Sequence, residues 1–146
     1  MIPAWIGVWI LTSAVSANNP SVARLYTRAT RHISSADSTV TIVDDLVRVR
    51  GGVVHLEWTG TLDGRDYPVE GVEVYLTNAY RQVDDRTLEL TQKVDGRAVV
   101  HATLVLSADG KTITQGPVPA GSLSRSFKAP FKGDAVLYAV DVAGHN

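Results

Sequence analysis

The sequence predicts an all-β domain, an antiparallel up-and-down barrel of about eight to ten strands with one short N-terminal helix. Three observations lead there. Short runs rich in Val, Ile, Thr and Tyr recur along the chain, each bounded by Gly, Asp or Asn. Tight-turn pairs separate consecutive runs: Gly51-Gly52, Asp63-Gly64, Asp95-Gly96 and Asp109-Gly110. Several runs alternate apolar and polar residues, as Val54, Leu56 and Trp58 do with His55, Glu57 and Thr59. Runs joined by tight turns make an antiparallel meander, and closing a meander into a barrel removes its exposed edges. A two-sheet sandwich is the other way to bury the same pattern.

The elements follow in order. Ile6 to Thr12 is apolar and reads as a buried first strand. With Ala14-Val15-Ser16-Ala17 behind it, the stretch also resembles an export signal. No Lys or Arg precedes the apolar run, which favours the strand and a cytoplasmic over a secreted location. The run is too short to span a bilayer. Asn18-Asn19-Pro20 offers a cap and a first-turn proline for a short helix over 20–26. Strands are then expected over 30–35, 39–43 and 46–50, the last with Val47 and Val49 on one face. Further strands are expected over 53–62, 72–77, 87–94, 98–107, 111–115 and 135–142. The stretch 116–134, with Pro117, Pro119, Gly121, Pro130 and Gly133, reads as a long irregular connection, either a binding loop or a plain linker.

Composition narrows the function. At 146 residues the chain is one domain, 1–146, able to form a core without staples. It has no cysteine, which excludes disulfides, thiolate nucleophiles and Cys-based metal centres. Net charge is −1 with no basic run, so no nucleic-acid footprint is visible. No hydrolase elbow or phosphate-binding glycine loop occurs. The four histidines have no spacing that demands a metal, and no cofactor is expected.

Gly7-Val8-Trp9 matches the Gly-x-Trp motif of lipocalins. Farther along stand Asp63-Gly64-Arg65-Asp66-Tyr67-Pro68-Val69, Val83-Asp84-Asp85-Arg86-Thr87 and Ser107-Ala108-Asp109-Gly110-Lys111-Thr112. This order resembles small bacterial lipocalin-like (calycin-type) proteins of largely unassigned function, over residues 7–115. Segments 13–27 and 116–134 depart from that pattern. The resemblance implies a barrel around one ligand-sized lumen. It supplies no catalytic residues.

Candidate site residues come from strand phase. Over 53–62 the apolar face holds Val54, Leu56, Trp58 and Gly60, which makes Leu56 and Trp58 lumen-wall residues. His55 and Glu57 share the outer face. Over 87–94 the inner set is Leu88, Leu90 and Gln92, and a buried Gln92 amide either bonds a neighbour or orients a ligand. His101 enters the lumen if its strand faces inward at 99, 101 and 103, and not if it does so at 100, 102 and 104. His32 poses the same question against Ala29, Arg31 and Ile33. Tyr138, in phase with Val136 and Val140, offers a phenol on the wall. Trp9 plugs the closed end and borders the ligand space. Tyr75 faces solvent or a partner. These residues predict binding of a small, mostly hydrophobic molecule in the lumen of a monomer or homodimer. The alternative is a cofactor-independent cyclase, isomerase or lyase acting on such a molecule, with His101, His32 and Tyr138 as catalytic candidates.

Overall fold

A computed structural model describes residues 3–11, 26–48, 50–117 and 140–143. A 3₁₀ turn, Pro3–Trp5, leads into ten strands. They are β1 (Gly7–Leu11), β2 (Tyr26–Ala36), β3 (Thr39–Arg48), β4 (Val53–Gly60), β5 (Tyr67–Glu70), β6 (Leu76–Asp84), β7 (Thr87–Val94), β8 (Arg97–Leu106), β9 (Thr112–Pro117) and β10 (Val140–Ala143). Among the described residues the structure is all-β and every pairing is antiparallel. Strands β2 to β9 pair in sequence order. β1 then pairs β2 on one side and β10 on the other, and β10 pairs β9, so the hydrogen-bonded order closes on itself. Among the described residues no helix is long and apolar enough to cross a membrane.

Local chemistry sets the register. Asp95 and Gly96 both have positive φ, at 51° and 80°, the conformation a two-residue hairpin needs to match strand twist. Burial alternates along the strands that follow such turns. Val40, Ile42, Asp44 and Leu46 point inward on β3, and Val54, Leu56, Trp58 and Gly60 do so on β4. Leu88, Leu90 and Gln92 continue the core on β7, and Ala102, Leu104 and Leu106 on β8.

One end of the sheet is closed by two indoles. Trp5 and Trp9 are both fully buried. Trp9 Nε1 donates to the Trp5 carbonyl at 3.0 Å, and Trp5 Nε1 donates to the Asp85 carbonyl in the β6–β7 turn at 2.9 Å. The 48–53 and 71–75 connections and the Asp95-Gly96 turn lie at the opposite end.

Four expectations change. First, β3 is one strand where two were expected. Asp44-Asp45 does not break it, because Asp44 turns inward to Arg31 and Asp45 outward to His55. Leu46 is therefore the inward residue and Val47 lies on the other phase; Val49 is outside the described residues. Second, the strand expected over 72–77 is replaced by β5 and β6 with a bend over 71–75. Gly71 makes the bend: its φ is +107°, and a Cβ there would lie 1.9 Å from the His55 carbonyl oxygen. Third, Tyr26 of the expected helix starts β2, paired opposite Arg48, while positions 20–25 lie outside the described residues. Fourth, of the long 116–134 connection Gly116 and Pro117 belong to β9, and the rest lies outside the described residues, as do 135–139 of the last expected strand.

Candidate functional site

Midway along the lumen the apolar core gives way to a polar layer. Arg31 on β2 stands directly opposite Asp44 on β3. Both side chains point inward, because their neighbours in phase, Ile33 and Ile42, are core residues. Arg31 Nε donates to Asp44 Oδ1 at 2.7 Å and Nη2 to Oδ2 at 2.9 Å. This two-point geometry is the strong form of the pair. Their side chains are only 7% and 12% exposed, so the pair is a buried one with net charge near zero.

A second cross-strand pair faces it. Asn78 on β6 stands opposite Gln92 on β7. Gln92 Nε2 donates to Asn78 Oδ1 at 2.9 Å. Gln92 Oε1 is buried and has no hydrogen-bond partner among the described residues. Tyr80, also on β6, is fully buried beside them. Burial pushes its phenol up to about 12; the Arg31 charge opposes this and the Asp44 charge adds to it. The phenol is therefore a neutral hydrogen-bond donor, not a base, at ordinary pH.

Trp58 supplies the rigid wall. Its Nε1 donates to the Asn78 carbonyl at 2.9 Å. Its ring meets Tyr80 edge-on at 4.7 Å and Tyr67 at 5.8 Å, geometries that aromatic pairs favour. Gly60 makes room for this stack, since a Cβ there would lie 2.5 Å from the Tyr67 ring.

These groups line a cavity of about 20 Å³. Its polar wall is Arg31, Asp44, Asn78, Tyr80 and Gln92; its apolar wall is Ile42, Leu56, Trp58, Val69 and Leu90. That volume suits one water-sized group. The arrangement offers a fixed acceptor, a neutral phenol donor and a buried ion pair around one cavity.

The residues expected from the sequence divide as follows. Leu56, Trp58, Leu90 and Gln92 line the cavity together. Trp9 is in the end plug, bonded to Trp5, and is not on the cavity wall. Tyr138 lies outside the described residues. His101 and His32 do not enter the lumen. Strand β8 buries Ala102, Leu104 and Leu106, so His101 takes the outer phase and shares a 3.1 Å hydrogen bond with Thr91 Oγ1. On β2 the buried phase is Arg31 and Ile33, which leaves His32 exposed. The catalytic roles suggested for these two histidines therefore have no footing in the lumen. Tyr75 is exposed.

Arg31, Asp44, Asn78 and Tyr80 were not singled out by the sequence. The available signal was phase alone: Arg31 alternates with Ala29 and Ile33, and Asp44 with Ile42 and Leu46.

His55 and Glu57 share the outer face, as expected. His55 Nδ1 lies 2.6 Å from Asp45 Oδ1, and its Nε2 lies 3.5 Å from Glu57 Oε1. The Asp45 hydrogen bond holds the imidazole pKa above its ordinary value. Among the described residues no group of three or more His, Asp or Glu side chains is placed to hold a metal ion. Comparison of the chain with known protein families, curated proteins and solved structures finds no significant match.

Proposed function

We propose that this lipocalin-like barrel binds a small, mostly hydrophobic molecule in its lumen, with the molecule's polar group at the Arg31–Asp44 and Asn78–Gln92 layer. The observation that carries this is the unpartnered Gln92 Oε1 on the cavity wall. Leaving such a group buried and unpaired costs about 1–3 kcal/mol. The ion pair beside it is also an expensive way to fill a core, since apolar residues of equal volume are often as stable or better by about 1–4 kcal/mol. Groups that stabilise little and stand around a cavity suit a binding role. A ligand reaching outward from this layer displaces Leu46, Val54 and Leu76, the apolar residues towards the 48–53 end.

Native mass spectrometry of the protein purified gently from its own host tests this. The expected result is a bound small molecule that hydrophobic probes displace. Recovery of ligand-free protein that also fails to bind such probes would overturn it.

A second reading has its own support. Tyr80 is a neutral donor beside the Asn78–Gln92 pair, and Asp44 is a carboxylate on the same wall. A cofactor-independent cyclase, isomerase or lyase needs little more than such a donor, a carboxylate and a dry, preorganised cavity. Incubation of the protein with its co-purified molecule separates the two readings. Conversion that Tyr80→Phe abolishes while binding persists favours catalysis; an unchanged molecule favours carriage.

A further inference from the structure

We infer that the polar layer selects a neutral hydroxyl head group and disfavours carboxylate and ammonium heads on otherwise identical chains. The inference rests on the lumen being the binding site.

The first argument is charge. Arg31 and Asp44 pair at 2.7 and 2.9 Å, both deeply buried, so the wall carries both signs. A carboxylate entering the cavity gives up its water and meets the Asp44 carboxylate. An ammonium group does the same and meets the Arg31 guanidinium. Each loses its hydration and meets a like charge on the wall.

The second argument is hydrogen-bond parity. Gln92 is only 4% exposed, and its Oε1 is an acceptor that needs a donor. Tyr80 provides the complementary donor, a neutral phenol on the same cavity wall. A hydroxyl both donates and accepts, and so answers both groups. A carboxylate has no hydrogen for Gln92 Oε1, and an ammonium group has no lone pair for Tyr80.

The test compares 1-octanol, octanoate and octylamine, each titrated into the wild-type protein near neutral pH with Trp fluorescence and probe displacement as readouts. The alcohol is expected to bind at least about tenfold tighter than either ion, the scale of losing or opposing one charge-assisted hydrogen bond. Asp44→Asn takes the carboxylate off the wall and is expected to shift the octanoate-to-octanol ratio about tenfold towards octanoate. Gln92→Leu keeps the ion pair. It is expected to weaken octanol relative to 1-methoxyheptane, an ether with no hydrogen to donate. Octanoate binding as tightly as octanol in the wild type would overturn the selectivity and leave lumen binding intact. So would an octanol-to-ether ratio untouched by Gln92→Leu. If none of the molecules binds and no hydrophobic probe does either, the lumen reading itself fails.

Discussion

The Arg31–Asp44 pair offers a quantitative way to ask what the polar layer is for. Arg31→Met removes one partner and leaves the Asp44 carboxylate, with a side chain 12% exposed, among Leu56, Tyr80 and Trp58. Breaking a buried pair costs about 3–5 kcal/mol, because the remaining charge keeps its desolvation penalty and loses its partner. The nearby amides of Asn78 and Gln92 place the expected loss near about 3 kcal/mol. At this chain length that lowers Tm by roughly 6–12 °C. Arg31→Met/Asp44→Leu removes both charges and restores apolar volume, so it should return to within about 1 kcal/mol of the wild type or exceed it. Urea unfolding followed by Trp emission, repeated for Asp44→Leu alone, completes the double-mutant cycle. A double variant as unstable as the two single losses added together would refute the reasoning, since the layer would then be stabilising the fold in its own right. So would an Arg31→Met loss under about 1 kcal/mol.

Other perturbations separate structural from functional residues. Trp58→Ala empties a side chain that is 2% exposed and should cost about 3–5 kcal/mol, while Trp58→Phe should cost about 1–2 kcal/mol for the missing Asn78 hydrogen bond and the smaller ring; chemical denaturation measures both. Gly71→Ala should cost about 3 kcal/mol or more in the same assay, because its Cβ meets the His55 carbonyl and its φ is unfavourable for any side chain. An NMR titration should place the His55 midpoint above 6.5, with Asp45→Asn bringing it down. Because the folded value is the raised one, the stability from this interaction is full below 6.5 and fades as pH rises through the folded midpoint. His101→Gln and His32→Ala should leave ligand affinity unchanged in probe titrations, since neither side chain reaches the lumen.

The sequence makes the wall of this site legible where alternation is unbroken. Leu56, Trp58, Leu90 and Gln92 lie in strands closed by Asp-Gly or Gly-Gly turns, so their phase follows from counting. Arg31 and Asp44 escape the same count because each looks like an interruption. Asp44 sits beside Asp45, and two acids in a row read as a strand end; only a partner on β2 lets one of them turn inward. Asn78 and Tyr80 are hidden for another reason. All five residues from Leu76 to Tyr80 are buried, so β6 shows no clean alternation, and Asn78 breaks the apolar phase it belongs to. For His101 both phases of β8 are largely apolar, and the choice falls to packing: Ala102, Leu104 and Leu106 take the core, while His101 pairs across the sheet with Thr91.

A polar layer in a core can serve to fix register, as a buried polar residue does in some helical bundles. This sheet has less need of one. Face is already fixed by alternation, since a one-residue slip would turn Ile42, Leu56, Trp58 and Leu90 outward together. Register is fixed again by the tight turn at Asp95-Gly96 and by the close pass of Gly71 over β4. The layer is also flanked by apolar residues on both sides, Leu46, Val54 and Leu76 towards one end and Ile33, Leu88 and Leu104 towards the other. A purely structural layer placed there would be expected to close on itself, as Arg31 and Asp44 do. Asn78 and Gln92 do not: the amide bond between them satisfies Asn78 Oδ1 and leaves Gln92 Oε1 over, on the wall of the cavity. Two apolar residues would fill those positions without that cost, so the leftover acceptor is better accounted for by a donor that arrives from outside the chain.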